Sequence, residues 1–433
     1  MALHLCWSDA RPNAALLEIV RQFAGTRPAF TLSSVGIANS QVAIIAAGLV
    51  SRLVTAYAGE SYPAGVPNPL MQRAVSSGAV AIENWSQWTI VARLMAGALG
   101  LPFMPTHSLR GSSMADEHMG RDFGTVRSPF GAVEDVPVVA ALTPDLALLQ
   151  GVAADAWGNV VMAAPYGELH WGALAAQRGV IACVEHVVST AEIRRHPGLV
   201  KVPDHAVLAV CHVPFGSHPY GSFNPGLSGL NQYSEDSAFI AECARACRTD
   251  AAFDAWLQEW VHGPGSHEGY LAKLGDARLQ ALREAAEPGH WRKRAEPGWL
   301  RPPEGGGWTR EEAMIVASAR RIAARVRVAG HRTVLAGIGA SSLAAWLADD
   351  LLRAEGIEAP LLSEIGIYGY ALQPGEPFVF SKANTGTARM LTDVTATLGA
   401  MVAGSQGRCL GAIGAALLGR NGDIGSTYDE DGG

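Results

Sequence analysis

The sequence predicts an α/β fold: two related lobes whose mostly parallel sheets are covered by helices, with an active-site cleft between them. Three observations carry that prediction. Short apolar, strand-like runs alternate with amphipathic helical stretches, the order that builds parallel sheets. A Pro- and Gly-rich break interrupts the alternation at 286–310, and a pattern from the first part recurs in the second.

The length of 433 residues exceeds what one hydrophobic core usually serves, so two or three domains are expected. With 49 glycines, 24 prolines and 17% charged residues, the composition suits a glycine-rich enzyme. The net charge of −7 is spread out, and no Lys/Arg cluster marks a nucleic-acid groove. The start, "MALHLCWSDARPNA", lacks the order of a signal peptide, and apolar runs such as Val42 to Val50 are too short to cross a bilayer. The plain reading is a soluble cytoplasmic protein with no nucleic-acid or membrane partner. Six sparse cysteines do not make a secreted disulfide framework.

Taken in order, "RPNAALLEIVRQFAG" predicts a helix opened by Pro12 and stopped at Gly25, with Leu16, Val20 and Phe23 on one face. Strands are expected in "VSRLVTAYAG", "PVVAALTP", "ALLQGVAA", "GVIACVEHVV" and "HAVLAVCHV". "MADEHMGRD" gathers Asp116, Glu117, His118 and Asp122, but adjacent ligands seldom converge on one ion, so a solvated loop and no metal are expected. "VPFGSHPYGSFNPG", with His218 and Tyr220, reads as a shaped wall or lid. Cys243 and Cys247 share a helix face and read as buried thiols. The break "AEPGHWRKRAEPGWLRPPEGGGW" is a linker, separating domain 1–285 from domain 311–433. Beyond it, "EEAMIVASARRIAARV" predicts a helix, "TVLAGIG" a strand and turn, and "SSLAAWLADDLLRAEG" a helix with Leu343, Leu347 and Leu351 as its buried stripe.

The recurring pattern is "LLQGVAADAWGNVV" against "AIGAALLGRNGDIGST": an apolar strand, small residues, then a tight turn at Gly158-Asn159 or Asn421-Gly422. Each part also carries a carboxylate after an apolar strand, Glu83 in "AIENWSQ" and Glu364 in "LLSEIG". In "PLLSEIGIYGY" the acid stands at a strand end beside Gly366 and Gly369, either as a structural anchor for turn N–H groups or as a reactive group. A dinucleotide site is a rival, since Gly337-Ile338-Gly339 lies between strand and helix with Glu364 closing the next strand. The third glycine position is Ser342, so that fingerprint is incomplete. GxSxG, Walker A and HExxH patterns are absent.

In these residues the chain resembles family I coenzyme A transferases of the glutaconate CoA-transferase type, with α-like and β-like parts fused. Residues 50–285 resemble the α part through "VSRLVTAYAGE", "PNPLMQRAVSSGAVAIENWSQWTIVARLMAGALGLPFMPTHSLRG", "LLQGVAADAWGNVV" and "VLAVCHVPFGSHPYGSFN". Residues 311–427 resemble the β part through "GIGASSLAAWLA", "SEIGIYG" and "GRNGDIGST". The resemblance implies a CoA-transferase-like fold and makes Glu364 the nucleophile that forms a glutamyl-CoA thioester, with Glu83 in reserve. It implies that Gly337, Gly339, Ser363, Gly366, Gly369, Tyr57 and Gly59 line the acyl-CoA site. It also implies no metal and no tightly bound cofactor, coenzyme A being substrate and product and a carboxylate the acceptor. The glycine loop after the first strand is reduced to "HLCWSDAR", Gly111-Ser112-Ser113 lacks an acid, and the β-like part is shortened at its C-terminus. A homo-oligomer or a second subunit completing it is therefore expected as a partner. These departures keep other chemistries in play: a CoA-thioester hydrolase, a C–C hydrolase, a decarboxylase, or a non-catalytic CoA-binding subunit.

Overall fold

The computed structural model describes residues 1–61, 65–131, 135–224, 226–287, 289–290, 307–371, 378–415 and 417–425. Two compact units divide the chain: Met1–Glu60 with Pro67–Leu279, and Ser61–Val66 with Gln280–Gly433. Most of the linker expected at 286–310 lies outside the described residues, as do Ser426 and Thr427 of the second recurring pattern.

The first unit is built on β1 (Ala2–Leu5), β2 (Phe30–Ala38), β3 (Val50–Gly59), β4 (Ala81–Asn84), β8 (Leu146–Ala154), β10 (Val180–Val187) and β12 (Val207–His212). These strands run parallel in the order β12-β10-β8-β1-β2-β3-β4. The short β9 (Val160–Val161) and β11 (Val200–Val202) add an antiparallel fringe at the end of β8. β5 (Phe103–Pro105), β6 (Phe123–Arg127) and β7 (Asp135–Ala140) form a separate antiparallel sheet.

Position in the sheet explains composition. β8 lies between β1 and β10 and is buried along nearly its whole length, hence its unbroken apolar run. β12, at the edge, leaves Leu208 exposed. The chain leaves β1 towards β2, β3 and β4, and later returns on the other side of β1 with β8. The carboxyl ends of β1 and β8 therefore flank the point where strand order reverses, the place where open α/β sheets form a crevice.

The helix expected after Pro12 is Asn13–Gln22, burying Leu16, Leu17 and Val20; Phe23 falls beyond it and packs edge-on against Phe30, 5.2 Å away. The N-terminal loop is not lost. β1 sits inside the sheet, and Cys6, Trp7, Ser8 and Arg11 after it are buried.

The second unit holds a five-stranded sheet, ordered β16 (Met390–Leu391), β15 (Ile367–Tyr370), β14 (Leu361–Ser363), β13 (Thr333–Ala336), β17 (Cys409–Ala412). β13 is parallel to β14 and β17, but β15 and β16 run antiparallel, so "SEIGIYG" is the corner of a β-hairpin. β18 (Leu417–Leu418) and β19 (Ile424–Gly425) pair as a small hairpin, with the turn expected at Asn421-Gly422 between them. The helices Arg310–Ala329 and Ala340–Arg353 pack together. The stripe Leu343, Leu347, Leu351 is only partly buried. Ala344, Ala345, Ala348 and Leu352 lie deepest, because Ala319 and Ala323 of the first helix and the alanines of the second let the backbones approach closely.

Candidate active site

Glu364 follows β14 directly, at the hairpin corner, where an apolar strand ends and the backbone reverses. Ser363 beside it is fully buried. The Glu364 carboxyl receives one side-chain hydrogen bond, from Ser363 Oγ at 3.4 Å, and forms no ion pair among the described residues. Burial pushes it up to about 7, only partly offset by its own backbone N–H and the Ser363 hydroxyl. Its backbone carbonyl is fixed by Thr397 Oγ1 at 2.6 Å. Burial, and next the charge of Glu364, raise the Tyr370 phenol.

The glycines around it have distinct duties. Gly366, at φ +119°, lies so close to Thr392 that a Cβ would come within 2.2 Å of that carbonyl oxygen. Its N–H donates to Ser363 O at 3.2 Å and its carbonyl accepts from Thr392 N at 2.7 Å. Gly337, after β13, donates its N–H to Ala412 O at 2.8 Å. The N–H groups of Gly337 and Gly366 thus hold the turns, while Gly339 opens the helix Ala340–Arg353 and Gly369 lies in β15 against the Arg389 side chain. Because β13 and β14 are parallel neighbours, the Gly337–Gly339 turn and Glu364 stand at adjacent carboxyl ends of one sheet.

The reserve carboxylate is placed differently. Glu83 is not after its strand but inside β4, opposite Val54, and belongs to the first unit. Arg52 and Trp85 Nε1 (2.8 Å) donate to it, Arg93 Nη1 lies at 3.2 Å and Arg121 Nη2 at 3.6 Å. Burial alone would raise its pKa, but the hydrogen bonds of Arg52 and Trp85 and the charges of Arg52 and Arg93 hold it at about 2. Arg93 stacks 4.2 Å over Trp85, whose other neighbour is the His118 ring at 3.9 Å.

That network corrects the expectation of a solvated loop at "MADEHMGRD". Ser113–His118 is a short helix and His118 is buried, its Nε2 2.6 Å from Asn84 O. Donor atoms of Glu83, His118 and Asp122 converge within 4.8 Å of one another. Arg52, Arg93 and Arg121 already contact the carboxylates, and their positive charge opposes a further cation there.

Tyr57 and Gly59 sit on β3 in the first unit, and the Tyr57 hydroxyl donates to Glu60 O. Sequence reasoning passed over Glu60 itself, a buried carboxyl whose Oε1 accepts from Asn68 and whose Oε2 has no partner among the described residues. His218 is a structural group: it is buried between Tyr270 OH (2.7 Å) and Asp236 Oδ2 (3.1 Å), and Asp236 is held by Arg278. All six cysteines are free thiols.

Comparison with known proteins agrees with this layout. Residues 7–212 match the family model described as Coenzyme A transferase. One of the glutaconate CoA-transferase chains of Acidaminococcus fermentans is 29% identical over 299 residues, 64% of this chain and 87% of that one. The crystal structure of glutaconate coenzyme A-transferase from the same organism aligns at a TM-score of 0.58 and 27% identity, over 65% of this chain and 90% of that one. The acyl-CoA transferase YdiF of Escherichia coli O157:H7 covers 100% of this chain with 69% of its own, at a TM-score of 0.62 and 15% identity, a likeness of fold. The family match begins at residue 7, well before residue 50, where the resemblance was first legible.

Proposed function

We propose that this chain, whose residues 7–212 match the coenzyme A transferase family model, is an acyl-CoA:carboxylate CoA-transferase working through a glutamyl-CoA thioester on Glu364. The Glu364 carboxylate attacks the thioester carbonyl, giving a mixed anhydride and releasing CoA thiolate. The thiolate attacks the Glu364 acyl carbon, which frees the donor as a carboxylate and leaves CoA on the enzyme as a thioester. The acceptor carboxylate then attacks that thioester, and the returning thiolate takes the acceptor's acyl group, restoring Glu364. Covalent capture divides one difficult exchange into easier steps and conserves the thioester energy.

One observation carries the reading: among the described residues Glu364 is a half-buried carboxyl with no ion pair, held by a single long side-chain hydrogen bond from Ser363. Such a carboxylate is poorly stabilised and correspondingly reactive. Thr397 and the Gly366 turn fix the backbone that aims it. The rival chemistries, hydrolysis or decarboxylation, would rest on Glu83, and its arginine cage supports a structural role instead. CoA enters as substrate and leaves as product. In this reading the second unit supplies what a β subunit supplies in two-subunit relatives, and a further subunit or a second copy remains a proposed partner. Among the described residues no helix is long and apolar enough to cross a membrane, and a cytoplasmic site of action is proposed with the function.

Initial rates test the scheme. Varying acyl-CoA at several fixed acceptor concentrations should give parallel double-reciprocal lines, the pattern of a covalent shuttle. Intersecting lines, or CoA release without acceptor at the same rate, would contradict it.

A further inference from the structure

We propose that Cys183 and Cys211 are a peroxide-sensitive thiol pair that closes reversibly into a disulfide and, in closing, loosens the seat of the loop that follows β12. The inference does not depend on the transferase reading. Cys183 lies in β10 and Cys211 in β12, and the two residues are paired in register on these parallel neighbours. Their thiols are hydrogen-bonded to each other. β12 is an edge strand, bonded only to β10 among the described residues. Cys211 is partly exposed there, while Cys183 is 3% exposed.

This arrangement supplies an attacking thiol and a resolving one. The hydrogen bond from Cys183 lowers the Cys211 thiol below its ordinary range, because charge is cheaper on the sulfur nearer water. The same contact, and then burial, raise Cys183 and keep its proton in place. The Cys211 thiolate attacks hydrogen peroxide and breaks its O–O bond, forming a sulfenic acid. The hydroxide released takes up the proton that Cys211 had given to solvent. The Cys183 sulfur then attacks the Cys211 sulfur, the S–S bond forms, and the sulfenic hydroxyl leaves as water with the Cys183 proton. Two thiols and one hydrogen peroxide thus give one disulfide and two waters.

Strand spacing sets the character of that bond. Neighbouring strands stand about 4.8 Å apart, whereas the Cβ atoms of a disulfide are usually separated by about 3.8 Å. Closure therefore has to draw β12 towards β10, and a disulfide closed under strain is easily reduced, hence labile rather than structural. The strain passes straight into the following loop. Val213 N–H donates to Val184 O at 2.8 Å and Phe215 N–H to Glu185 Oε2 at 2.7 Å, both acceptors lying directly after Cys183. The other thiols lack one requirement each. Cys243 and Cys247 are also hydrogen-bonded to each other, but both are fully buried, out of reach of peroxide. Cys409 is partly exposed and bonds Thr333 instead of a second thiol.

The test treats the full chain with hydrogen peroxide, blocks free thiols with iodoacetamide, digests without reductant and sequences the peptides by tandem mass spectrometry. A Cys183–Cys211 disulfide should form ahead of any other thiol product, and dithiothreitol should reverse it. In Cys211→Ser, Cys183 should stay reduced. In Cys183→Ala, oxidation should stop at a Cys211 sulfenic acid that dimedone traps. Amide hydrogen exchange at Val213 and Phe215 should be about fivefold faster in the oxidised protein than in the reduced one. Cys211 recovered as a sulfinic or sulfonic acid beside a free Cys183 overturns the proposal. So does a disulfide to another cysteine or to a second molecule, an unmodified Cys211, or a Cys183→Ala protein that dimedone does not label. Unchanged exchange at Val213 and Phe215 overturns it too, since the disulfide would then leave the loop untouched.

Discussion

Glu83 and Glu364 are the same residue type in two sheets of one chain, and their surroundings drive them in opposite directions. Glu83 is wrapped by Arg52, Arg93, Arg121 and Trp85 and is held at about 2. Glu364 has one weak side-chain donor, and burial lifts it to about 7. Desolvation acts on both; what differs is whether cations answer it. A caged carboxylate stabilises structure and has little nucleophilicity to offer. A half-buried one with no cation among the described residues is costly to the fold and available for chemistry. Similar strand patterns in the sequence therefore conceal opposite roles.

The sharpest way to break this comparison is to neutralise each acid. Glu364→Gln should abolish transfer by at least about 10³-fold while unfolding at the same temperature as the parent or higher. Glu83→Gln should leave transfer within a few-fold in the folded protein. It should cost about 3 kcal/mol in urea unfolding, since Arg93 would remain buried with less than its full counter-charge. Exchanged phenotypes would refute the assignment.

Gly366→Ala probes the corner that aims Glu364. A Cβ there would meet Thr392 O at 2.2 Å with φ at +119°, so about 2–3 kcal/mol of stability should be lost, together with most of the transfer rate. Gly124→Ala, where a Cβ meets nothing within 4 Å, is the control.

The pH dependence separates the two acids without substitution. Below about pH 7, kcat/KM should fall about tenfold per unit as Glu364 takes up its proton. Stability has opposite signs at the two sites. Because the folded pKa of Glu364 is raised, its contribution is fully present below about pH 4.5 and lost as pH rises through about 7. The folded pKa of Glu83 is depressed, so its contribution is present above about 4.5 and lost as pH falls towards 2. Urea midpoints of each Gln variant should therefore approach the parent in acid and diverge as pH rises, Glu83→Gln falling below the parent and Glu364→Gln rising above it. The smallest effect is expected from Thr397→Val, which removes the 2.6 Å bond to Glu364 O: about 1 kcal/mol of stability and a few-fold loss of rate.

Much of this was legible in the sequence because it is local. Strand runs such as "LALLQGVAA" and the glycine turn at Gly337–Gly339 show their place by composition, and the Ser363–Gly369 segment marks Glu364 through a family resemblance. What stayed hidden depends on distance along the chain. The partners of Glu83 come from 31, 10 and 38 residues away, at Arg52, Arg93 and Arg121, so no spacing rule announces the cage. His118 reads as a loop residue until Trp85 is seen stacked on it. Arg11 looks like an ordinary charge before Pro12, and only the fold brings Tyr220 and Gln41 around it. The antiparallel turn into β15 was missed because Ile367–Tyr370 is too short to show direction.

The most direct test of the central claim is intact-protein mass spectrometry after brief incubation with a panel of acyl-CoA esters, comparing wild type with Glu364→Gln. A CoA-sized covalent adduct in wild type and none in Glu364→Gln is the predicted result. An adduct that persists in Glu364→Gln, or CoA release that survives there with no adduct in either protein, would contradict the account and return attention to Glu83.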